Sequence, residues 1–417
     1  MSTWLLSGVR TPFVRVDGPF KNLDAIAMSV PLAQAMAAQA TGKIDVGVWG
    51  TVIPNLTYSN IAREIWLDAK LDPHVPTYAT VMACSTSMMG AFQAAGLLQG
   101  KERALAMVGG VEAMSRVQIG LGQTLSDGFR RVSQARTWGD RWKRLAEVKP
   151  HDVKLYVPEV KNRTTGKSMG QHCEETAQEW KIQRADEDAM ALRSHLSAVK
   201  GQAAGFFTDL IMPLAGADKD AFPRAETSLD KLAKLRPAFD KVNGTITAGN
   251  SSPLTDGAAA LWVANDDGVK RLPASLPRAK LVDFEVASAD IARDGLLMAP
   301  AFAIPRLLAR HHLRYDSIAL WEIHEAFSAQ VLYHLKALDD VTFVRERAGV
   351  TADLGRVPQD RINPNGGSVA LGHPFGATGA RILSQAVKEL AAMPSGSKAI
   401  VSICADGGLG TVALLEN

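Results

Sequence analysis

The chain reads as a layered α/β fold built from two similar halves, with a separate domain inserted into the first. Three observations predict it. Small-residue-rich helical patterns alternate with short β-branched runs near both ends of the chain, and such alternation marks α/β layering. The same order of elements then occurs twice. "VMACSTSMMGAFQAAGLLQGKERALAMVGG" gives a turn, an apolar helix over about 85–98, a strand over about 104–108 and Gly109-Gly110. "GHPFGATGARILSQAVKELAAMPSGSKAIVSICADGGLG" gives a turn, a helix, a strand over about 398–403 and Gly407-Gly408. The similarity lies in the order of elements, not in residue identity, and suggests an internal duplication. Between about 119 and 248 the character changes to polar stretches, scattered prolines and helices such as "ADEDAMALRSHLSAVKGQ". The divisions expected are a first half over 1–118 completed by 249–275, an inserted domain over 119–248, and a second half over 276–417.

Size and composition bound the function classes. At 417 residues and 44.7 kDa the chain is too long for one small core. Its 47% hydrophobic and 21% charged content and mean hydropathy of −0.01 are those of an ordinary globular protein. A formal charge of +3 is small for this length, so no nucleic-acid partner is expected. "MSTWLLSGVRTPF" lacks a basic region followed by a long apolar one, and no run approaches the roughly 18 apolar residues of a spanning helix. The expectation is therefore a chain starting near Met1 in the cytoplasm. Three cysteines, Cys84, Cys173 and Cys404, with no C-x-x-C pair, fit neither a disulfide framework nor a zinc knuckle. Reactive thiols remain, and no metal site is expected.

Taken in chain order, the chemistry-bearing elements sit at junctions. Cys84 follows the apolar "ATVMA" and opens the small-residue helix, where the positive end of the dipole favours a thiolate. A lone cysteine in an apolar stretch is more often an inert core residue. Next, "DGFRRVSQARTWGDRWKRLAEVKP" opens the inserted domain and carries Arg130, Arg131, Arg136, Arg141, Lys143 and Arg144 beside Phe129, Trp138, Trp142 and Leu145. If helical, Trp138, Trp142 and Leu145 share one face. Such a segment is either a solvated helix docked on its own domain or a contact for a membrane surface or partner subunit. His324, in "LWEIHEAFSAQ", lies where a strand-like run passes into a helix. His373 lies between a glycine that permits a sharp turn and Pro374, a residue suited to the first helical position. Its imidazole can accept a thiol proton, or it can simply satisfy loop carbonyls. Cys404 ends "AIVSIC", and the following "ADGGLG" turn can present N–H groups to an oxyanion.

Together these residues resemble the thiolase family of acyl-CoA:acetyl-CoA C-acyltransferases. "NPNGGSVALGHPFGATGARI" resembles the family's glycine-rich histidine signature and "SICADGGLG" its C-terminal cysteine signature, while Cys84 stands where the nucleophile belongs. "RTPFVRVDGPFKNL" and "TAGNSSPLTDGAAA" extend the resemblance over nearly the whole chain. The resemblance implies a thiolase fold: two βαβαβαββ halves in five layers, with an inserted loop domain that holds coenzyme A. It also implies Cys84 as acyl acceptor, His373 as its base and Cys404 as the acid/base at the acetyl Cα. One oxyanion hole would come from His373 and a water near His324, the other from the N–H groups of Cys84 and Asp406. Met169 and Ser252 match positions lining the pantetheine channel. No bound cofactor is implied, coenzyme A being a substrate. Acyl-CoA cleavage in fatty-acid β-oxidation is the implied activity, with a homodimer or tetramer as the implied assembly.

Two departures from the family pattern carry information. Most thiolases have Asn-Glu-Ala-Phe where this chain has His324-Glu325-Ala326-Phe327, and the histidine form resembles the β-subunit of the trifunctional fatty-acid oxidation enzyme. That subgroup shares an extended basic and aromatic segment, which implies a hydratase/dehydrogenase α-subunit as partner. Asp406 stands where a small residue is usual; it tolerates positive φ, and its carboxylate would disfavour a second negative charge on the nearby thiols. Alternatives are a biosynthetic acetoacetyl-CoA thiolase, a β-ketoacyl synthase using Cys84, His324 and His373, and a non-catalytic lipid carrier. Cys404 argues against the synthase, which has no need of a second thiol.

Overall fold

A computed structural model describes residues 2–100, 102–158 and 160–417. The first half runs β1 (Thr3–Leu6), α1 (Ala25–Ala37), β2 (Val46–Gly50), α2 (Ile61–Asp68), β3 (Thr77–Ala79), α3 (Thr86–Leu97) and β4 (Leu105–Glu112). The chain then leaves the sheet for α4 (Gln123–Ser133), α5 (Trp138–Ala146), α6 (Met169–Glu179) and α7 (Arg184–Ala203), and returns as β5 (Thr255–Asn265). The second half runs β6 (Arg278–Ser288), α8 (Ala299–Arg310), β7 (Leu320–Ile323), α9 (Ser328–Asp339), α10 (Ser368–Leu371), α11 (Thr378–Ala391), β8 (Lys398–Ala405) and β9 (Leu409–Glu416).

Strand order is β7-β8-β9-β6-β1-β5-β4-β2-β3, with a two-residue strand, Val14–Arg15, paired onto the end of β5. β2 lies parallel to both β3 and β4, and β7 parallel to β8. Every residue of β2, β4 and β5 is buried, as parallel or covered strands require; this is why "VGVWG" and "LAMVGGVE" read as continuous apolar runs without alternation. The duplication predicted from sequence is present as β-α-β-α-β-α-β-β in the first half. In the second half the third strand shrinks to one parallel bridge, Trp321 to Ile362.

Five layers follow from three buried clusters. One lies under α1 and α2, one between the sheet halves around α3 and α11, and one under α8 and α9. The central layer explains the small residues of α3. Gly379 on α11 comes so close that an added Cβ would sit 2.2 Å from the Met88 nitrogen on α3. Gly110 is tighter still, with an added Cβ 1.9 Å from the Gly376 carbonyl oxygen. Phe92 of α3 stacks on Phe284 of β6 at 4.2 Å between ring centroids, joining the middle layer to the second half. Each such side chain taken out of water contributes roughly 1.5–3 kcal/mol.

Three sequence expectations are corrected here. The basic aromatic segment is two helices, α4 and α5, and its tryptophans are not docked: Trp138 is 73% and Trp142 67% exposed. Pro374 is not the first helical residue. Its backbone is extended (φ −72°, ψ 111°) ahead of a short 3-10 turn, and α11 starts at Thr378. The intervening turn has to cross the end of β4, where the Gly376 N–H donates to the buried Glu112 carboxylate at 3.1 Å. Positive φ in the Asp406 turn is taken by Gly407 and Gly408, not by Asp406.

Candidate active site

Five chain segments meet at the inner end of one cavity. Residues 83–85 form a single 3-10 turn leading into α3, and Ala83 adopts φ +45°, a left-handed backbone that costs a residue with a Cβ of order 1 kcal/mol. Thr86 clamps this turn: its hydroxyl donates to the Ala83 carbonyl (2.7 Å) and accepts from the Met82 N–H (2.9 Å). Ser85 ties it to the second half through the Ile403 carbonyl and Thr411 hydroxyl. Cys84 is thus held at a strained turn against the strand that carries Cys404.

His373 enters from the glycine-rich segment. Gly372 has φ +104°, and the His373 backbone bridges to Leu254, beside Ser252. His373 Nε2 lies 3.1 Å from Cys84 Sγ, and its Nδ1 lies 2.6 Å from the Thr378 hydroxyl. With its single proton directed to the Pro374 carbonyl (3.0 Å), that hydroxyl accepts from the histidine. Nδ1 therefore carries the proton, and the bare Nε2 faces the thiol.

His324 follows β7, and its N–H donates to the Ser402 carbonyl on β8, so His324 and Cys404 emerge from neighbouring parallel strands at their C-terminal ends. The "NPN" start of the histidine signature secures this end of the sheet. Asn363 pairs through its side chain with both backbone groups of Ile323 (2.8 and 2.9 Å), fixing the end of β7. The His324 and His373 rings lie 4.2 Å apart. Ligating atoms of Cys84, His324 and His373 all fall within 4.8 Å of one another, a convergence that sequence spacing hides.

Electrostatics keep the resting groups neutral. Burial, then the Asp406 carboxylate, push the Cys84 thiol up to about 12, while N–H groups of Cys84 and Asp406 face the sulfur and oppose that rise. Burial, then the Arg381 charge, depress His373 to about 3. Cys404 is raised well above the usual thiol range, by burial first and by Cys84 second. Burial likewise holds His324 neutral, helped by His373 and Arg381.

The cavity measures about 380 Å³ and is lined by Cys84, His373, Cys404 and Asp406 together with Met169 and Ser252. All the predicted site residues converge; His324 is fully buried and does not itself line the cavity. Sequence reasoning missed several supports. Glu112 accepts from Thr51, Val52, Ile53 and Gly376, linking the loop after β2 to the turn after His373. A carboxylate ending the apolar run "LAMVGGVE" was its only signal. Asn162, in the inserted segment, donates to the Asp406 carboxylate at 2.8 Å.

A thiol beside an imidazole base, a second neutral thiol and convergent N–H donors suit covalent acyl transfer. Comparison with known proteins agrees. The thiolase N-terminal domain model matches residues 3–267 and the thiolase C-terminal domain model residues 275–417. Proteins named 3-ketoacyl-CoA thiolase from Yersinia enterocolitica and Vibrio cholerae are each 34% identical over 421 aligned positions, covering 99% of this chain and 96% of theirs. Among solved structures, the Acat5 thiolase from Ascaris suum in complex with coenzyme A superposes with a TM-score of 0.81 at 27% identity, covering all of both chains. The Bacillus anthracis acetyl-CoA acetyltransferase gives 0.80 at 30%, covering 100% of this chain and 99% of that one. The chain belongs to the thiolase family.

Proposed function

We propose that the chain is a 3-ketoacyl-CoA thiolase of fatty-acid β-oxidation, which cleaves its substrate with coenzyme A into acetyl-CoA and a shortened acyl-CoA. The observation that carries this is the Cys84–His373 contact of 3.1 Å with the base tautomer fixed by Thr378. Cys84 sulfur attacks the 3-keto carbon as its proton passes to His373 Nε2. Collapse breaks the C2–C3 bond, leaves the acyl group on sulfur, and places the electron pair on C2, which takes the Cys404 proton to release acetyl-CoA. The Cys404 thiolate then takes the proton of incoming coenzyme A, whose sulfur attacks the acyl-enzyme. The departing Cys84 sulfur recovers its proton from His373. A Cys404 raised by burial suits this reading, because a neutral thiol must be ready to protonate a carbanion. Oxyanion donors are His324 with His373 on one side, and the Cys84 and Asp406 N–H groups on the other.

Met169 and Ser252 line the cavity and are read as pantetheine contacts, with the segment between β4 and β5 holding coenzyme A. Cys84, Cys173 and Cys404 are all free, and the reaction needs two of them reduced, which supports a cytoplasmic location. Among the described residues β3 ends the sheet with one edge unpaired, which supports a homodimer joined there, or a tetramer built from it. The exposed Trp138 and Trp142 beside basic residues support the subgroup reading: an interface for a membrane surface or for a hydratase/dehydrogenase subunit.

The test is thiolysis of 3-ketoacyl-CoA by the protein and by Cys84→Ala. Activity in the native protein, lost at least ~10⁴-fold in the variant, is expected on the order seen for a removed nucleophile. Retention in Cys84→Ala, or turnover of malonyl thioesters in place of 3-ketoacyl-CoA, would overturn the assignment.

A further inference from the structure

Behind the two histidines lies a buried polar chain that the acyl-transfer steps do not use. Ser368, the first residue of α10, places its hydroxyl 2.9 Å from His324 Nδ1. The same oxygen accepts from Arg381 Nη2 at 2.7 Å. Ser368 and His324 are fully buried and Arg381 is 2% exposed. Arg381 has no acceptor capacity, so among the partners of this hydroxyl only His324 Nδ1 can take its proton. His324 Nε2 is buried with no hydrogen-bond partner among the described residues.

We infer that Arg381 and Ser368 are positioning residues that hold His324 in the tautomer with a bare Nδ1 and a protonated Nε2, opposite to that of His373. Two imidazoles whose rings lie 4.2 Å apart then play different parts. Thr378 withdraws acceptor capacity from His373 Nδ1 and leaves a base at Nε2. Ser368 donates a hydrogen bond to the bare His324 Nδ1 and leaves a donor at Nε2, available to an oxyanion. The guanidinium favours this assignment: it donates to the Ser368 oxygen and cannot accept, so the His324 ring is the partner left to receive the hydroxyl hydrogen. Burial lowers the Arg381 pKa, and Glu322 and Glu325 nearby oppose that only in part. This arrangement also gives the histidine in place of the family's usual asparagine a reason: with its proton fixed on Nε2, the ring offers the N–H that a carboxamide would have supplied.

The inference rests on the thiolase reading above, and a double-mutant cycle separates the two. Thiolysis is measured for the native protein, Ser368→Ala, His324→Asn and the double variant. Ser368→Ala should lower kcat about tenfold with little change in KM, since a misplaced donor is felt in the transition state more than in binding. In the His324→Asn background it should lower kcat no further. An equal loss in both backgrounds, or no loss in either, overturns the positioning role. ¹⁵N NMR of the native protein labelled at histidine gives a check independent of any variant. A bare Nδ1 and protonated Nε2 on His324 are expected, with the reverse on His373, and a protonated Nδ1 on His324 sinks the inference. Absence of any thiolysis by the native protein would instead remove the functional reading, while the ¹⁵N assignment would still decide the tautomer.

Discussion

Asp406 shows how one side chain can serve a site with its backbone and burden it with its charge. Its N–H faces the Cys84 sulfur, while its carboxylate is the second cause, after burial, of the raised Cys84 thiol. The carboxylate is anchored by Asn162 at 2.8 Å and by the Gly407 N–H at 2.7 Å, so it cannot swing clear. Removing it removes a repulsion against the thiolate, and the folded-state thiol pKa falls toward its ordinary value. Asp406→Gly is therefore expected to move the pH dependence of Cys84 alkylation by iodoacetamide, and the basic limb of the rate profile, to lower pH. An unchanged alkylation profile would show that the carboxylate does not act on the thiol. The residue's identity was legible in "SICADGGLG"; its anchoring by Asn162 was not, because 244 positions separate the two.

At the scale of elements, the contact between α3 and α11 bears on the distance between Cys84 and His373, the proposed nucleophile and base. Cys84 stands one turn ahead of α3 and His373 one turn ahead of α11, and Gly379 lets the two helices approach. An alanine there would drive its Cβ into the Met88 backbone, a contact that no rotamer change can relieve. Gly379→Ala is expected to destabilise the fold by about 1–3 kcal/mol, the range for an overpacked interior. It should also lower kcat roughly 100-fold by lengthening the Cys84–His373 contact. Differential scanning calorimetry and steady-state kinetics measure the two effects, and an unaltered kcat would detach the site geometry from the helix contact. Helix existence was readable from apolar patterning in both cases. Start points were less so: Pro374 suggests a helix beginning at once, yet the hydrogen bond from Gly376 to Glu112 on another element delays it to Thr378.

For the whole molecule, the five layers bury the chemistry, while β3 ends the sheet and the α4–α5 helix pair stands exposed. Trp138 lies under the Arg141 guanidinium at 4.9 Å, so the exposed aromatic face is presented together with positive charge. Trp138→Ala combined with Trp142→Ala is expected to weaken binding to anionic phosphatidylserine vesicles roughly tenfold or more while sparing thiolysis of short substrates. Vesicle co-sedimentation and pull-down of a hydratase/dehydrogenase subunit tell the two interfaces apart, and full retention of both associations would end the interface reading.

By itself the sequence determined the α/β class, the doubled order of elements, and the four polar junction residues Cys84, His324, His373 and Cys404, because turn chemistry and apolar patterning act over short spans of chain. Only the tertiary structure decided what state each group is in. Burial keeps Cys84, Cys404 and the histidines neutral, and Thr378 and Ser368 give two adjacent imidazoles opposite tautomers. The physical reason is that proton positions and pKa values depend on the few ångströms around an atom. Those surroundings are assembled from segments up to 289 residues apart, as with Cys84 and His373.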